Sequence, residues 1–260
     1  MAATRPTDTK SLLDRLAGAA AYDLVLSARS QLSSALVEVT LTGAIEGLSP
    51  LPGNDLMLAV PVEGGDGSFR RRYTIRSIDH ASSTLSLWVD ESAGGPGAAW
   101  AKSAPLGSTI EAIGPRGQIT LEPMADWHLF IGDLSFLSAA YAMADAIEPP
   151  GQAIFLFQVD AQSDLVTPQL DESIGVTLGV IERDGWGPSD PTGLLAGLAA
   201  LELPEDEGAV YVGGELRVVA ALRSALVERG FNAESIHSKP YWREGVSNLA
   251  HGEPKKDDLA

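Results

Sequence analysis

The chain has 260 residues, of which 45% are apolar and 20% are charged, and its 35 acidic and 18 basic side chains give a formal net charge of -17. This composition is typical of an acidic globular protein with one large or two smaller domains. The chain contains no cysteine, which excludes disulfides, thiolate nucleophiles, zinc sites with Cys ligands and iron–sulfur clusters.

The ends of the chain and its charge distribution narrow the expected location and partners. The N-terminus has no apolar signal core, and no uncharged apolar run reaches about 18 residues, so we expect a cytoplasmic protein without membrane contact. Residues 123–260 carry 22 acidic but only eight basic side chains. Because this half would repel a phosphate backbone, nucleic acid is not an expected partner.

Residues 29–122 contain short alternating stretches separated by turn sequences, a pattern typical of an antiparallel barrel or sandwich. A short helix is predicted over Ala98–Ala104, after the Gly-rich turn at Gly94–Gly97. The predicted strands of this region are Leu36–Leu41, Asp55–Val62, Arg72–Ile78, Thr84–Val89 and Ser108–Ile113.

From about residue 126, predicted strands alternate with predicted helices, which is typical of a parallel α/β sheet. The strands are Trp127–Ile131, Ala153–Val159, Gly175–Ile181 and Ala209–Val212, and the helices are Ser135–Ile147, Leu194–Leu201 and Glu215–Arg229. The predicted fold is therefore an antiparallel β-barrel over residues 25–122 followed by an α/β domain over residues 126–245. Residues 1–10 and 246–260 are predicted to be disordered tails.

The segment Arg70–Arg76 places four arginines within seven residues of a predicted strand. Strand alternation sends Arg71 and Tyr73 to one face and Thr74 and Arg76 to the other. An arginine for a diphosphate, a tyrosine against a flat ring and a threonine hydroxyl for a ring nitrogen would together suit a flavin dinucleotide. The alternative is an edge strand whose charges prevent aggregation.

Arg71-x-Tyr73-Thr74-x-Arg76 resembles the flavin motif of the siderophore-interacting proteins, which are ferric-siderophore reductases of the ferredoxin-reductase-like superfamily. Three further segments resemble this family in the same order along the chain. They are Gly95-Pro96-Gly97-Ala98-Ala99-Trp100-Ala101, Gly114-Pro115-Arg116-Gly117, and Val212-Gly213-Gly214-Glu215 with the later Tyr241-Trp242-Arg243-x-Gly245.

The resemblance implies that the barrel holds FAD and that the α/β domain is the nicotinamide-nucleotide half. Backbone amides at Gly97–Ala99 would receive the diphosphate, because a helix start favours an anion; an ordinary flexible turn is the alternative there. The implied flavin-binding residues are Arg71, Tyr73, Thr74, Arg76, Val89, Gly95, Gly97, Ala98 and Ala99.

The implied nicotinamide-nucleotide residues are Gly132, Asp133, Ser135, Gly214, Glu215 and Arg217. A turn and a helix cap are the alternative roles of Gly132 and Asp133. Between Asp126 and Ser238 the chain has 18 acidic side chains against four basic ones. We therefore expect NADH rather than NADPH as the electron donor, and Arg217 is the one base that could favour NADPH. For the same reason, we do not expect an acidic ferredoxin to be the donor.

The remaining bases Arg116, Lys239 and Arg243 could dock an anionic ferric siderophore near an exposed flavin edge, although the last two could equally form a surface pair. Outer-sphere electron transfer needs no protein ligand to iron. The four histidines of the chain show no metal-ligand spacing, so no metal site is predicted.

Four positions depart from the family's pattern. Asp90 stands where the family has a histidine, Ala98 where it has a serine, and Leu134 and Ser138 where its loop has a glutamate and a proline. The sequence predicts an FAD-dependent NAD(P)H oxidoreductase that reduces a ferric siderophore and releases Fe(II). The departures leave open a non-catalytic or flavin-impaired binding or sensing protein on the same fold, and a flavoreductase for another acceptor is a further alternative.

Overall fold

The computed structural model describes residues 19–62, 67–92, 94–117 and 119–246. The chain divides into two compact units, Met1–Gln118 and Ile119–Ala260. The predicted disordered tails lie outside the described residues, apart from Val246. Within the described ranges, no helix is both long enough and apolar enough to cross a membrane.

The first unit is a closed antiparallel barrel of six strands in the order β1-β2-β5-β4-β3-β6, which the pairing of β1 with β6 closes. Strand alternation sends side chains such as Leu24, Val39 and Leu87 into a fully buried core. The elements are β1 (Ala20–Gln31), β2 (Leu36–Thr42), β3 (Asp55–Pro61), β4 (Ser68–Asp79), β5 (Thr84–Asp90), α1 (Gly95–Ser103) and β6 (Thr109–Arg116).

Three elements of the barrel differ from the predicted ones. The strand β4 begins at Ser68, four residues before its predicted start. The strand β1 is absent from the prediction because only Leu24 and Leu26 of its residues are buried, between exposed small and polar side chains. The helix α1 begins at Gly95, three residues before its predicted start. Pro96 fits the first turn, where its missing N–H would have no partner inside the helix.

The second unit is a five-stranded parallel sheet in the order β11-β10-β7-β8-β9. Strands β7 and β10 are neighbours, and the chain adds β8 and β9 on one side of them and β11 on the other. The carboxyl ends of β7 and β10 therefore form the switch point at which open α/β sheets bind ligands. The elements are β7 (Trp127–Asp133), α2 (Leu134–Ala144), β8 (Gln152–Val159), β9 (Gly175–Glu182), α3 (Thr192–Ala200), β10 (Gly208–Glu215), α4 (Leu216–Glu228) and β11 (Ile236–Trp242).

The predicted order of an antiparallel barrel followed by a parallel α/β sheet is confirmed. In the α/β unit, one apolar cluster joins Leu129 and Ile131 of β7 to Val219 and Leu222 of α4. These residues alternate along β7 with His128 and Phe130, as expected for a strand that is covered on both faces.

A layer of stacked rings covers the other face of the parallel sheet. The ring of Tyr211 stacks on Phe130 at 4.9 Å and on His237 at 5.1 Å, and His128 Nδ1 lies 3.3 Å from its hydroxyl. The backbone N–H of Glu122 donates to the same hydroxyl at 2.7 Å. Burial lowers the pKa of His128 to about 4, although the charge of Glu122 raises it slightly. His128 is therefore a neutral member of the core at physiological pH.

Candidate functional site

The middle of β4 and the first turn of α1 meet at one corner of the barrel unit. A Cβ atom added to Gly97 would lie 1.8 Å from the hydroxyl of Tyr73 and 3.5 Å from Cγ of Arg71. The backbone of α1 thus touches the side chains of both β4 residues, which only a glycine permits. Three of the predicted flavin-binding residues lie together at this corner.

The two ends of α1 are stabilised differently. In the part of the chain that the structure describes, no side chain caps the N-terminus of α1, where Gly94 has a φ of 66°. At the other end, Arg29 donates from Nη2 to the carbonyl of Ala104 at 2.6 Å and from Nε to the carbonyl of Ala101. The positive end of the helix dipole therefore faces the corner, where backbone N–H groups favour an anion.

Burial raises the pKa of Tyr73, the nearby guanidinium of Arg71 opposes this shift, and the carboxylate of Asp90 adds to it. Tyr73 is therefore a neutral phenol between a cation and an anion. The Asp90 carboxylate accepts hydrogen bonds from the N–H of Ser92 at 2.8 Å and from its hydroxyl at 2.6 Å. This turn fixes the carboxylate of Asp90.

All four arginines of β4 have partners in the barrel, and Arg71 Nη1 donates to the backbone carbonyl of Arg70 at 2.9 Å. Arg72 forms a two-pronged ion pair with the buried Asp55, at 2.8 and 2.6 Å, and Arg70 lies 3.2 Å from Glu111. The guanidinium of Arg76 lies 4.8 Å from the ring centre of Trp88. Arg71 thus differs from the other three arginines in its closeness to the start of α1.

The remaining predicted flavin residues differ in accessibility. Thr74, Val89 and Ala98 are buried, and Val89 belongs to the barrel core. Gly95 and Ala99 are exposed. Val89 could therefore contact a ligand only through its backbone, whereas Gly95 and Ala99 lie on the surface of the α1 start.

At the switch point of the α/β unit, the carboxylate of Asp133 is fully hydrogen-bonded. Its Oδ2 accepts from the N–H of Glu215 at 2.9 Å and from the indole N–H of Trp242 at 3.0 Å. Its Oδ1 accepts from the N–H of Ser135 at 2.9 Å and from the hydroxyl of the same residue. Burial raises the pKa of Asp133, and these four donors oppose that shift.

The carboxylate of Glu215, which is completely buried, caps α4. Its Oε2 accepts from the N–H of Arg217 at 2.6 Å and of Val218 at 3.3 Å, and its Oε1 accepts from the N–H of Glu244 at 3.2 Å. The side-chain oxygens of Asp133 and Glu215 therefore occupy the starts of α2 and α4. Asp133 is the N-terminal cap of α2, which is the alternative role that the sequence left open.

Close packing explains the glycines at these strand ends. A Cβ on Gly132 would lie 1.8 Å from the carbonyl oxygen of Gly213, and a Cβ on Gly213 would lie 2.4 Å from the ring of Phe136. Gly214 has a φ of 136°, and a Cβ there would lie 2.6 Å from Asp133 Oδ2. The predicted nucleotide residues other than Arg217 are thus brought together in a tightly packed cluster, while Arg217 is exposed.

The three predicted substrate bases have different surroundings. Arg116 Nη1 lies 3.7 Å from the sulfur of Met57 on the barrel. Lys239 is 9% exposed, and its Nζ lies 4.9 Å from the ring centre of Tyr241. Arg243 is exposed. Lys239 and Arg243 do not form a surface pair, because Lys239 is buried.

Sequence reasoning missed the link between Trp242 and Asp133. The two residues are 109 positions apart, and a tryptophan near a chain end carries no signal of its hydrogen-bond partner. The departures at Leu134 and Ser138 are both buried in α2, so they belong to the packing of this unit.

Two family models match this chain. The model of the siderophore-interacting FAD-binding domain matches residues 54–119, which contain the Arg71, Tyr73 and Gly97 corner, and that of the siderophore-interacting protein matches residues 125–245. The chain belongs to the siderophore-interacting protein family.

Named relatives of this family member include reductases. Ferric vibriobactin reductase ViuB of Vibrio cholerae is 29% identical over 212 residues, which are 76% of either chain. The NADPH-dependent ferric-chelate reductase of Escherichia coli is 23% identical over 154 residues, or 57% of either chain. The crystal structure of a siderophore utilization protein from T. fusca has a TM-score of 0.79 at 25% identity and covers 90% of this chain and 96% of its own.

Proposed function

We propose that this protein is an FAD-dependent oxidoreductase that acts in the cytoplasm and reduces the Fe(III) of a ferric siderophore with electrons from a nicotinamide nucleotide. The observation that carries the proposal is the corner at which Gly97 places the uncapped start of α1 against Arg71 and Tyr73. This corner lies within the match to the siderophore-interacting FAD-binding domain. It offers a cation, a helix start without a side-chain cap among the described residues and a neutral phenol ring, which are groups that suit a flavin with a diphosphate.

In this proposal, Arg71 and the N–H groups of Gly97, Ala98 and Ala99 hold the diphosphate. Tyr73 lies against the flavin, and its raised pKa keeps its hydroxyl protonated as a hydrogen-bond donor. The further flavin-binding residues are Thr74, Arg76, Val89 and Gly95.

Bound FAD would supply the conversion of a two-electron hydride into single-electron transfers to Fe(III). The protein's contribution is to hold the flavin and to attract the iron chelate, for which we propose Arg116 in the barrel unit and Arg243 in the α/β unit, each by itself. Lys239, which the sequence also suggested, is too buried to contact a large chelate. An anionic chelate is attracted by these two arginines in a chain whose net charge is -17. In this proposal iron enters as the Fe(III) chelate and leaves as Fe(II), so it is part of the substrate and then a product.

We propose NADH as the donor, although the relative from E. coli is named as NADPH-dependent. Between Asp126 and Ser238 the chain has 18 acidic side chains and only four basic ones. This excess of negative charge disfavours binding of the additional 2′-phosphate of NADPH. The same excess of acid would repel an acidic ferredoxin. The nicotinamide nucleotide would bind at the switch point formed by Gly132, Asp133, Ser135, Gly214 and Glu215, with exposed Arg217 as the nearest base in sequence.

A second candidate is a flavin-binding protein that nicotinamide nucleotides do not reduce. The observation that favours it is the occupation of the α2 and α4 starts by the carboxylates of Asp133 and Glu215. A dinucleotide diphosphate would lack the helix N–H donors that such sites commonly use. Such a protein could act in sensing or in partner binding.

The test measures FAD binding and Fe(II) formation with the purified full-length protein. FAD is titrated first, and then NADH and ferric siderophores are added without oxygen in the presence of an Fe(II)-specific chelator. We expect bound flavin and Fe(II) formation in the wild type, and an FAD affinity at least about tenfold lower in Arg71→Ala. Arg70→Ala is the matched control, because Arg70 pairs with Glu111 instead. Failure to bind FAD would reject the proposal, and bound flavin that NADH cannot reduce would support the second candidate.

A further inference from the structure

The strand β9 forms one edge of the parallel sheet, and the proposed function does not use it. It lies at the end of the strand order and pairs with β8. None of its eight residues is buried, whereas seven of the eight residues of β8 are buried. A strand that is covered so little has a side that can contact another molecule.

The hydrogen bonds between β9 and β8 show which backbone groups form this outer side. The N–H groups of Gly175 and of Arg183, at the two ends of the pairing, both donate to carbonyls of the β8 segment. Because the direction of the N–H and C=O groups alternates along a strand, those of Val176, Leu178 and Val180 point away from β8. We call these three residues the open edge. Within the described ranges, no hydrogen bond from another segment reaches their backbone groups.

The two edges of the sheet differ in how they are protected against another strand. The strand β11 contains Pro240, which has no N–H group, and three of its seven residues are buried. In β9, the stretch from Ile174 to Ile181 has neither a proline nor a charged side chain, and Val176 is 47% exposed. Natural proteins cover or charge such an edge, because its unpaired N–H and C=O groups recruit a further strand. The open edge therefore suits a partner strand.

The helix α3, which packs on β9, extends this uncharged surface. Its contact with the strand is close, since a Cβ added to Gly193 would lie 2.7 Å from Cγ2 of Ile181. No residue from 191 to 201 is charged. A helix without a charged outer face is usually buried against another element. The exposed positions of α3 are Thr192, Ala196, Ala199 and Ala200.

The charge of the chain indicates which partner fits this surface. A basic partner would be attracted to the acidic parts of a chain whose net charge is -17. Two copies of the chain repel each other, so they can approach closely only where neither carries charge. Glu182, the one charged residue of β9, accepts a hydrogen bond from the N–H of Gln162 at 2.9 Å. The open edge with α3 is thus a surface on which a second copy can lie.

We propose that two copies of this chain associate through their open edges, as an antiparallel pair of β9 strands with Leu178 on the twofold axis. Val176 then lies opposite Val180 of the second copy, so each pair formed by the open edge is apolar. An axis at Gly179 would instead place Val176 opposite the charged Glu182. Because the pairing uses both open edges, the assembly stops at two copies. This inference does not depend on the proposed function.

The first test measures the mass of the full-length protein by sedimentation velocity over a range of micromolar concentrations. We expect a dimer whose dissociation constant decreases with added salt, because salt screens the repulsion between two acidic chains. Val176→Lys should weaken the dimer at least about tenfold. Val227→Lys is the matched control, since Val227 is 43% exposed on α4, which packs against β10 and β11. A monomer at every concentration, or equal dissociation constants for the two variants, would overturn the proposal.

The second test checks the register of the two strands with an introduced cysteine, which has no competitor in a chain without cysteine. In Leu178→Cys, the two Cα atoms would lie about 5.5 Å apart, which suits a disulfide. In Val176→Cys, the two residues would lie about 14 Å apart, although Val176 is well exposed. Oxidation of the thiols by diamide should therefore crosslink Leu178→Cys into a dimer much faster than Val176→Cys. Equal rates, or no crosslinking of Leu178→Cys, would overturn the proposal.

The outcomes separate this inference from other occupants of the edge and from the proposed function. Leu178→Pro removes an N–H that points away from β8, so it should abolish the dimer and leave the sheet intact; if this variant does not fold, Val176→Lys decides. A monomer whose β9 amides resist hydrogen exchange would overturn the inference, because another segment of the same chain would then cover the edge. A dimer that binds no FAD would support the inference and reject the proposed function.

Discussion

Three helix N-termini differ in what lies beside them. The start of α1 in the barrel has an arginine nearby, whereas the starts of α2 and α4 in the α/β unit are capped by carboxylates. At α1, the described residues provide no side-chain cap, and Arg71 lies beside the helix start. At α2 and α4, the carboxylates of Asp133 and Glu215 accept the first N–H groups. A carboxylate at a helix start stabilises the helix but removes an anion site. The comparison therefore separates a helix start that can receive a diphosphate from two helix starts at which a nucleotide could bind only through its uncharged parts.

Removal of the Glu215 carboxylate should break the folding side of this comparison and has the largest expected effect. Glu215→Ala leaves three backbone N–H groups, of Arg217, Val218 and Glu244, without their acceptor. We expect the free energy of unfolding to fall by about 3 kcal/mol, as measured by urea unfolding of the full-length protein. Glu228→Ala, at an exposed position of α4, should change it by less than about 0.5 kcal/mol. A loss similar to that of the control would contradict the role of Glu215.

The stacked layer of the α/β unit predicts that stability depends on pH between about 6.5 and 4. The pKa of His128 is about 4 in the folded protein, compared with the ordinary value of 6.5 that we take for the unfolded chain. The unfolded chain therefore binds more protons between these values, and stability falls as the pH falls from about 6.5 to about 4, by about 2 kcal/mol at pH 5. Burial also lowers the pKa of His237, so its contribution has the same sign.

The histidine prediction is checked by urea unfolding at several pH values. His128→Gln should remove about 2 kcal/mol of the difference between pH 7 and pH 5. His80→Gln, at an exposed position of the barrel, should leave the difference unchanged. Equal pH profiles for the wild type and His128→Gln would show that the imidazole is not held neutral by burial.

Gly97→Ala tests the binding side of the comparison. The new methyl group would lie 1.8 Å from the Tyr73 hydroxyl, so Tyr73 must move from the corner. We expect FAD affinity to fall about thirtyfold, as measured by the quenching of flavin fluorescence. Gly47→Ala is the control, since a Cβ there meets nothing within 4 Å. The double variant Tyr73→Phe/Gly97→Ala should regain part of the affinity, and unchanged affinity in Gly97→Ala would contradict the site.

A carboxylate placed near the start of α1 should make this helix start resemble those of α2 and α4. Of the predicted changes, we expect this one to have the smallest effect. Ala99 is exposed near the helix start, so Ala99→Glu should stabilise α1 slightly and weaken FAD binding about fivefold. The difference should shrink at high salt. Ala99→Gln preserves the size of the side chain and should bind FAD as the wild type does. Equal affinities of the two variants at low salt would show that the diphosphate does not bind there.

The part of this structure that sequence predicts best is the part decided by local patterns. Period-two alternation marks β2 to β6, and the change to alternating strands and helices marks the parallel sheet. The strand β1 is not predicted because only two of its residues, Leu24 and Leu26, are buried. The pattern of a strand that closes a barrel is too weak to recognise before its partners are known.

The corner at Gly97 was predictable for a different reason. Arg71, Tyr73 and Gly97 lie in two motifs whose order resembles one family, and the structure brings them into contact. By contrast, the indole of Trp242 reaches Asp133 across 109 positions, and Lys239 is buried although lysine is usually exposed. Such pairings depend on the tertiary packing of β11, which no local pattern encodes.

The most direct test of the central claim is a single turnover without oxygen. FAD-loaded protein is bleached by one equivalent of NADH and then mixed with a ferric siderophore and an Fe(II)-specific chelator. We predict that the flavin colour returns as Fe(II) forms, with about two Fe(II) for each hydride transferred. Flavin that stays bleached in the presence of every ferric siderophore tested would contradict the assignment of a ferric-siderophore reductase.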